Sequence, residues 1–140
     1  MSAPVWQARV YWEDTDGGGI VYYANYLKFL ERARSEWLRA RGLSQRALAL
    51  DPGIVFSVVA LEAQYLRPAR LDDLLAIGCE PALNGGASLA FEQNIWRDSI
   101  AGELLLRATV RIACLDAHSL KPKRLPEVIV RELRTIVAKE

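Results

Sequence analysis

Residues 25–42 hold a long, unusually apolar helical period, and it constrains what the rest of the chain must do. Tyr26, Leu30, Ala33 and Trp37 fall at steps of four, three and four, one stripe of a helix; Leu27, Phe29 and Leu38 widen that stripe. Asn25 occupies an N-cap position and Gly42 a C′ stop. So wide an apolar face has to be enclosed. Most of the chain beyond Gly53 reads as strand, so the enclosure expected is a sheet curved around the helix.

Upstream, residues 5–13 alternate, with Trp6, Ala8, Val10 and Trp12 on one side and Gln7, Arg9 and Glu13 on the other, the pattern of a half-buried strand. Downstream, "SQRALAL" is a short helical piece ahead of Pro52 and Gly53. "IVFSVVALEAQYL", "DLLAIGCEPAL", "SLAFEQNIWR" and "ELLLRATVRIACLD" read as further strands, the second with Pro81 at an edge or bulge. "NGG" at 84–86 signals a hairpin turn, and Asp98 to Gly102 a looser one. In the last strand Leu104, Leu106, Ala108, Val110, Ile112 and Cys114 face one way, Arg107, Thr109 and Arg111 the other. "KPKRLPE" is a loop, with Pro126 suited to the first turn of a C-terminal helix ending near Lys139. Helix and strands are segregated rather than alternating. The expected class is therefore α+β: an antiparallel sheet of about five strands, the last four as a meander, one long central helix and a C-terminal helix. No repeat, linker or composition shift divides residues 1–140, which read as one domain.

Charge and composition narrow the function. A net charge of +1 gives no general pull toward nucleic acid or membrane. No apolar run reaches the about 18 residues of a membrane span, and "MSAPVWQARV" lacks the pattern of a signal peptide. Cys79 and Cys114 lie in apolar strand patterns and read as buried free thiols of a cytoplasmic protein. One His and two distant Cys offer no metal-ligand cluster. His118, after the last strand and without an orienting partner in a motif, reads as a surface residue.

The segment "DTDGGG" at 14–19 is the chemically suggestive one. An EF-hand loop would need ligands at its fifth and twelfth positions, which here hold Gly18 and Asn25. A phosphotransferase Asp of the DxDG kind belongs at the end of a buried parallel strand, whereas this strand is amphipathic and no βαβ order comes after it. A third reading sets a carboxylate opposite a helix start. The unpaired N–H groups there, with about half a positive charge, polarise a carbonyl and stabilise the oxyanion formed on attack. Glycines let substrate approach the backbone, and a carboxylate attacks the carbonyl or deprotonates a water. Taken alone, an Asp before Gly is ordinarily a turn residue.

The stretch "RVYWEDTDGGGIVYYANYLKFLERARSEWLR" carries D-x-D-x-x-G-x-V-x-x-x-x-Y followed by E-R-A-R. With "YLRPARLDD" at 65–73 and "KPKRLP" at 121–126, it resembles the hot-dog-fold acyl-CoA thioesterases of the 4-hydroxybenzoyl-CoA thioesterase superfamily, within it the bacterial branch associated with the Tol–Pal system. The resemblance spans essentially the whole chain. It implies the hot-dog fold, a long helix wrapped by an antiparallel sheet, and hydrolysis of an acyl-CoA without metal or redox cofactor. The family's catalytic carboxylate falls on Asp16, as nucleophile or general base, and its oxyanion-binding amide on Tyr23. No catalytic role carries over to Asp14.

Gly19 is the glycine that matches the motif, so it is expected to matter more than Gly17. Gly19, Val21, Tyr22, Asn25 and Tyr26 around the helix start, with Arg67 and Arg70, are expected to meet the substrate. Lys121, Lys123 and Arg124 are further candidates for the phosphates of coenzyme A. The Tol–Pal branch commonly has His where this chain has Tyr23, and the 4-hydroxybenzoyl-CoA enzymes have Tyr there. A backbone N–H survives that exchange, whereas an imidazole's part in proton transfer does not. The family's dimers and tetramers, with sites at subunit boundaries, imply a homo-oligomer here, a homotetramer being one form. An acyl carrier protein or an envelope complex are further implied partners. The alternative from another class is a non-catalytic acyl-CoA-binding or interaction module of the Tol–Pal system.

Overall fold

The computed structural model describes residues 6–139, with side chains as far as residue 134. The expected first residue of the opening strand, Val5, lies outside them. The elements run β1 (Trp6–Arg9), α1 (Tyr26–Arg39), α2 (Gln45–Leu50), β2 (Ile54–Tyr65), β3 (Leu74–Ile77), β4 (Glu80–Leu83), β5 (Ser88–Arg97), β6 (Leu104–Asp116) and α3 (Glu127–Lys139). The class is α+β as expected, with six strands in one antiparallel sheet.

Strand order is β1-β3-β5-β6-β2, with β4 also paired to β5. The meander expectation fails at β2, which skips its sequence neighbour and pairs with β6 along nearly its whole length. β2 thereby becomes an edge strand. The single strand expected over 73–83 breaks into β3 and β4. Gly78 donates to the Asn94 carbonyl at 2.8 Å, and a Cβ on it would lie 3.0 Å from the Trp96 ring. A side chain there would press on the Trp96 indole, which favours glycine at this break. β3 and β4 then lie along successive parts of the same side of β5.

The expected stripe of α1 is its buried face: Tyr26, Phe29, Leu30, Ala33, Trp37 and Leu38 are all buried, and Trp37 meets Phe91 of β5 edge-on at 5.9 Å. Against them lie Leu75 and Ile77 of β3, Leu89 and Ile95 of β5, and Leu106 and Val110 of β6. Two polar residues share this layer, Arg34 and Gln93.

Two local expectations are corrected. The opening strand stops at Arg9, and Trp12–Asp14 forms a turn of 3-10 helix that leaves Trp12 72% exposed. The Asp14 carboxylate accepts from the Tyr11 N–H at 2.8 Å, which favours the turn over further pairing. Asn25 is not a side-chain cap. It is αR, closing a 3-10 turn over Tyr23–Asn25 that feeds α1. Its side chain instead donates to the Asp14 carbonyl at 3.0 Å. Gly42, at φ 76°, turns the chain away after α1 as expected.

Candidate active site

Residues 14–22 form a tight hairpin. Thr15 bridges Val21, Asp16 donates its N–H to the Ile20 carbonyl at 3.2 Å, and Tyr22 donates to the Asp14 carbonyl at 3.0 Å. The returning arm is pinned to residues 69–71 by Val21 N–H to Ala69 carbonyl at 2.9 Å and Leu71 N–H to Gly19 carbonyl at 3.0 Å. The tip is the glycine run. Gly17 and Gly19 both have positive φ, 91° and 84°, a region costly to residues with a Cβ. A Cβ at either would meet no atom of this chain within 4 Å, so their conformation, not crowding by the protein itself, calls for glycine. The ranking of Gly19 above Gly17 thus finds no basis in φ. Gly18 differs: its N–H donates to Oδ1 of Asp16 at 3.0 Å, and a Cβ there would stand 3.3 Å from that oxygen.

Asp16 is exposed, and among the described residues only Gly18 engages its carboxylate. Asp14 acts as a brace. Its side chain holds Tyr11, and its carbonyl receives both Tyr22 and Asn25. Directly after the hairpin, Tyr23 opens the 3-10 turn, so its peptide N–H is among those a helix start leaves without an intrahelical acceptor. Its carbonyl accepts from the Tyr65 phenol at 2.9 Å, and its exposed ring packs against Tyr22 and Tyr65.

Of the expected substrate contacts, Gly19, Tyr22 and Asn25 sit in this loop and helix start. Val21 and Tyr26 are core side chains, and the Tyr26 hydroxyl accepts from the Ala69 N–H at 3.0 Å. Burial raises the Tyr26 pKa against the opposing effect of that bond. Arg67 pairs with Glu103 at 3.0 Å. Arg70 is exposed, its N–H bound to Asp73 at 2.8 Å and its backbone bridging Ile20. Sequence reasoning missed Tyr65 and Arg97. Arg97 ties Asp73, Glu103 (3.1 Å) and the Pro68 carbonyl (3.0 Å) into one brace beneath the 67–73 segment. A Tyr closing a long apolar strand, and an Arg following a Trp at a strand end, were the only signals.

The second basic cluster lies elsewhere. Lys123 reaches the Pro52 carbonyl at 2.9 Å and Asp116 at 3.7 Å, beside the Ile54 end of β2, whereas Arg67 and Arg70 follow its Tyr65 end. His118 is exposed, and its N–H binds Asp116. Backbone donors from Ser119 and His118 hold the Asp116 carboxyl down at about 2. Cys79 and Cys114 are buried, unlinked thiols; burial pushes Cys79 up to about 12, which leaves it protonated and non-nucleophilic at neutral pH.

The loop thus offers an exposed carboxylate and, seven residues on, a helix-start amide, with no Ser or Cys nucleophile beside them among the described residues. Among the described residues no group of three or more His, Cys, Asp or Glu side chains is arranged to hold a metal.

A family model described as the thioesterase superfamily matches residues 18–103. The acyl-CoA thioester hydrolase YbgC of Escherichia coli O6:H1 is 44% identical over 129 residues, covering 92% of this chain and 94% of that protein. The acyl-CoA thioesterase YbgC of Haemophilus influenzae is 42% identical over 121 residues, 86% of this chain and 87% of that one. Among solved structures, a probable thioesterase from Bartonella henselae superposes with a TM-score of 0.83 at 40% identity, over 89% of this chain and all of that one.

Proposed function

Since the chain belongs to the thioesterase superfamily, we propose that it hydrolyses acyl-CoA thioesters with Asp16 as the reacting carboxylate and the Tyr23 amide as the oxyanion donor. The observation that carries this reading is the pairing of an exposed carboxylate, held through one oxygen by Gly18, with the open helix start at the end of the same hairpin.

Two routes fit these groups. In one, the Asp16 carboxylate attacks the thioester carbon, the negative charge forms on the carbonyl oxygen at the Tyr23 N–H, and the coenzyme A thiolate departs. Water then cleaves the Asp16–acyl anhydride. In the other, Asp16 takes a proton from water as the water attacks, then returns it to the departing sulfur. Each route consumes one water and yields a free acid and a thiol. The amide stabilises the same oxyanion in both, and one such donor is worth about 100-fold or more in kcat.

β2 supports a homo-oligomer. It spans 12 residues with one edge unpaired among the described residues, and Val58, Leu61 and Tyr65 are 48%, 42% and 47% exposed. Such an edge favours pairing with a second copy, which closes both. Two-fold pairing of β2 with itself is antiparallel. It would bring the partner's basic loop, at the Ile54 end, toward the Tyr65 end that carries Arg67 and Arg70. Both basic clusters are then available to coenzyme A phosphates.

The finer parts of the reading are a cytoplasmic site of action and a link to the Tol–Pal system. Separately, no helix among the described residues is long and apolar enough to cross a membrane. Free-thiol release from a panel of acyl-CoA esters, short, long and aromatic, tests the activity and reads the acyl preference. Saturable acyl-CoA binding with no thiol release from any ester would favour the non-catalytic module instead.

A further inference from the structure

Away from Asp16, α1, α2 and the inner faces of β2, β5 and β6 line a partly open cavity of about 110 Å³. Its walls are apolar, Leu38, Phe56, Leu89, Phe91 and Ile112 among them, except where Arg34, Glu31 and Gln45 meet it. Arg34 is 8% exposed. Its Nη1 donates to Gln93 at 3.0 Å, and Gln93 in turn donates to the Leu30 carbonyl at 3.0 Å. Gln93 therefore fixes the guanidinium without neutralising it. Among the described residues no carboxylate lies within ion-pair distance of Arg34. Glu31, one turn away, is exposed and engages Ser35 at 2.7 Å. A guanidinium has five N–H donors and stays charged at neutral pH, and burying such a charge unpaired is costly. This one is kept at the wall of an apolar cavity.

The cavity lies in line with the proposed chemistry. On β2, Phe56, Val58, Leu61, Ala63 and Tyr65 pair with Cys114, Ile112, Val110, Ala108 and Leu106, all buried on the inner face, so the five share one side. The row begins at the cavity, which Phe56 and Val58 line, and ends at Tyr65, whose phenol holds the Tyr23 carbonyl. Along the helix, Tyr23 and Arg34 are eleven residues apart, about 16 Å. The Arg34 side chain leans back toward the helix start, and an extended chain gains about 1.2 Å per bond, so on the order of ten bonds span the gap.

We infer that this cavity receives the far end of the acyl group, and that Arg34 selects acyl-CoA esters ending in a carboxylate, the half-thioesters of medium-length dicarboxylic acids. The inference rests on the hydrolase reading above. A planar guanidinium fork matches a carboxylate in a bidentate manner. Glu31 lines the same cavity and its charge acts on Arg34 only from beyond ion-pair distance, so the bound acid would supply the direct partner the guanidinium lacks among the described residues.

The test compares sebacoyl-CoA with decanoyl-CoA, equal in carbon count and differing only at the far end. Glutaryl-CoA and pentanoyl-CoA serve as a pair too short to reach Arg34. Wild type should favour sebacoyl-CoA by about tenfold or more in kcat/KM, a difference of about 1.4 kcal/mol, with no such preference in the short pair. Arg34→Met should abolish the preference while decanoyl-CoA turnover persists, and Arg34→Lys should keep part of it.

Competition by free sebacate and decanoate against wild type, read by binding of a labelled acyl-CoA, needs no variant to fold. Sebacate should compete the more strongly. Equal kcat/KM for the long pair, a preference as large in the short pair, or decanoate competing as well as sebacate would each overturn the inference, as would equal loss of both long substrates in a stably folded Arg34→Met. Selective sebacate binding without thiol release from any ester would instead defeat the hydrolase reading and leave the subsite standing.

Discussion

The phenol of Tyr65, the last residue of β2, donates to the Tyr23 carbonyl at 2.9 Å across 42 residues of sequence. It fixes the peptide next to the proposed oxyanion donor and joins the edge strand to the helix start. Tyr23 itself contributes an exposed ring and a backbone amide.

Two substitutions separate those contributions. Tyr23→Phe keeps the amide and the Tyr65 bond, so kcat should stay within about threefold of wild type if the backbone alone serves the oxyanion. Tyr65→Phe removes one hydrogen bond, typically worth about 0.5–1.5 kcal/mol, and should lower kcat more than Tyr23→Phe does. Steady-state kinetics of both variants check this. A collapse of kcat in Tyr23→Phe would mean the phenol takes part in the chemistry.

The glycines divide by mechanism. Gly17→Ala and Gly19→Ala each force a Cβ into the left-handed region, at about 1–2 kcal/mol apiece, and should lower Tm by similar amounts. Gly18→Ala sits at ordinary φ but presses on Oδ1 of Asp16. It should leave Tm nearly unchanged and reduce kcat. Thermal melts and kinetics on the three variants decide. A Gly18→Ala enzyme as active as wild type would show that the position of that oxygen does not matter.

Much of this site was legible because its parts are adjacent in the chain: the paired aspartates, the glycine run and the switch from period two to a helical period fall within 25 residues. What escaped was assembled by pairing across long separations. Gln93 sits on the inward row of β5 between Phe91 and Ile95, a polar break in an apolar face, and its partner Arg34 lies 59 residues away. Arg97 and Asp73 are 24 apart. Alternation also misled, since Trp12 continued the apolar side of β1 in sequence but belongs to a turn stabilised by Asp14. The break at Gly78 was hidden for a similar reason: the Trp96 ring that crowds this glycine lies on a neighbouring strand.

Acid stability should carry the mark of Asp116. Its folded-state pKa of about 2 lies below that of an ordinary carboxyl, so the stabilisation is present above the unfolded value and is lost as pH falls through the folded one. Asp116→Asn should be less stable than wild type at neutral pH, with the gap closing between about pH 4 and pH 2. Denaturant titrations across that window measure it. A gap that stays constant with pH would assign the effect to lost packing instead of charge.

On the proposal above, the open edge of β2 is closed by a second copy. Light scattering at micromolar concentration should report an even oligomer, and Leu61→Lys, placing charge on the exposed inner row, should weaken it and lower activity together. A fully active wild-type monomer would exclude a site built between subunits.

The most direct measurement is kcat of Asp16→Asn with the best acyl-CoA substrate, beside its melting temperature and its acyl-CoA affinity. The Asp16 carboxylate is exposed and, among the described residues, bonded only to Gly18, so the substitution should leave Tm and binding close to wild type. It should cut kcat by at least about 100-fold, the scale for loss of a general base or more. A folded Asp16→Asn protein that turns over at the wild-type rate would contradict the assignment of the reacting carboxylate.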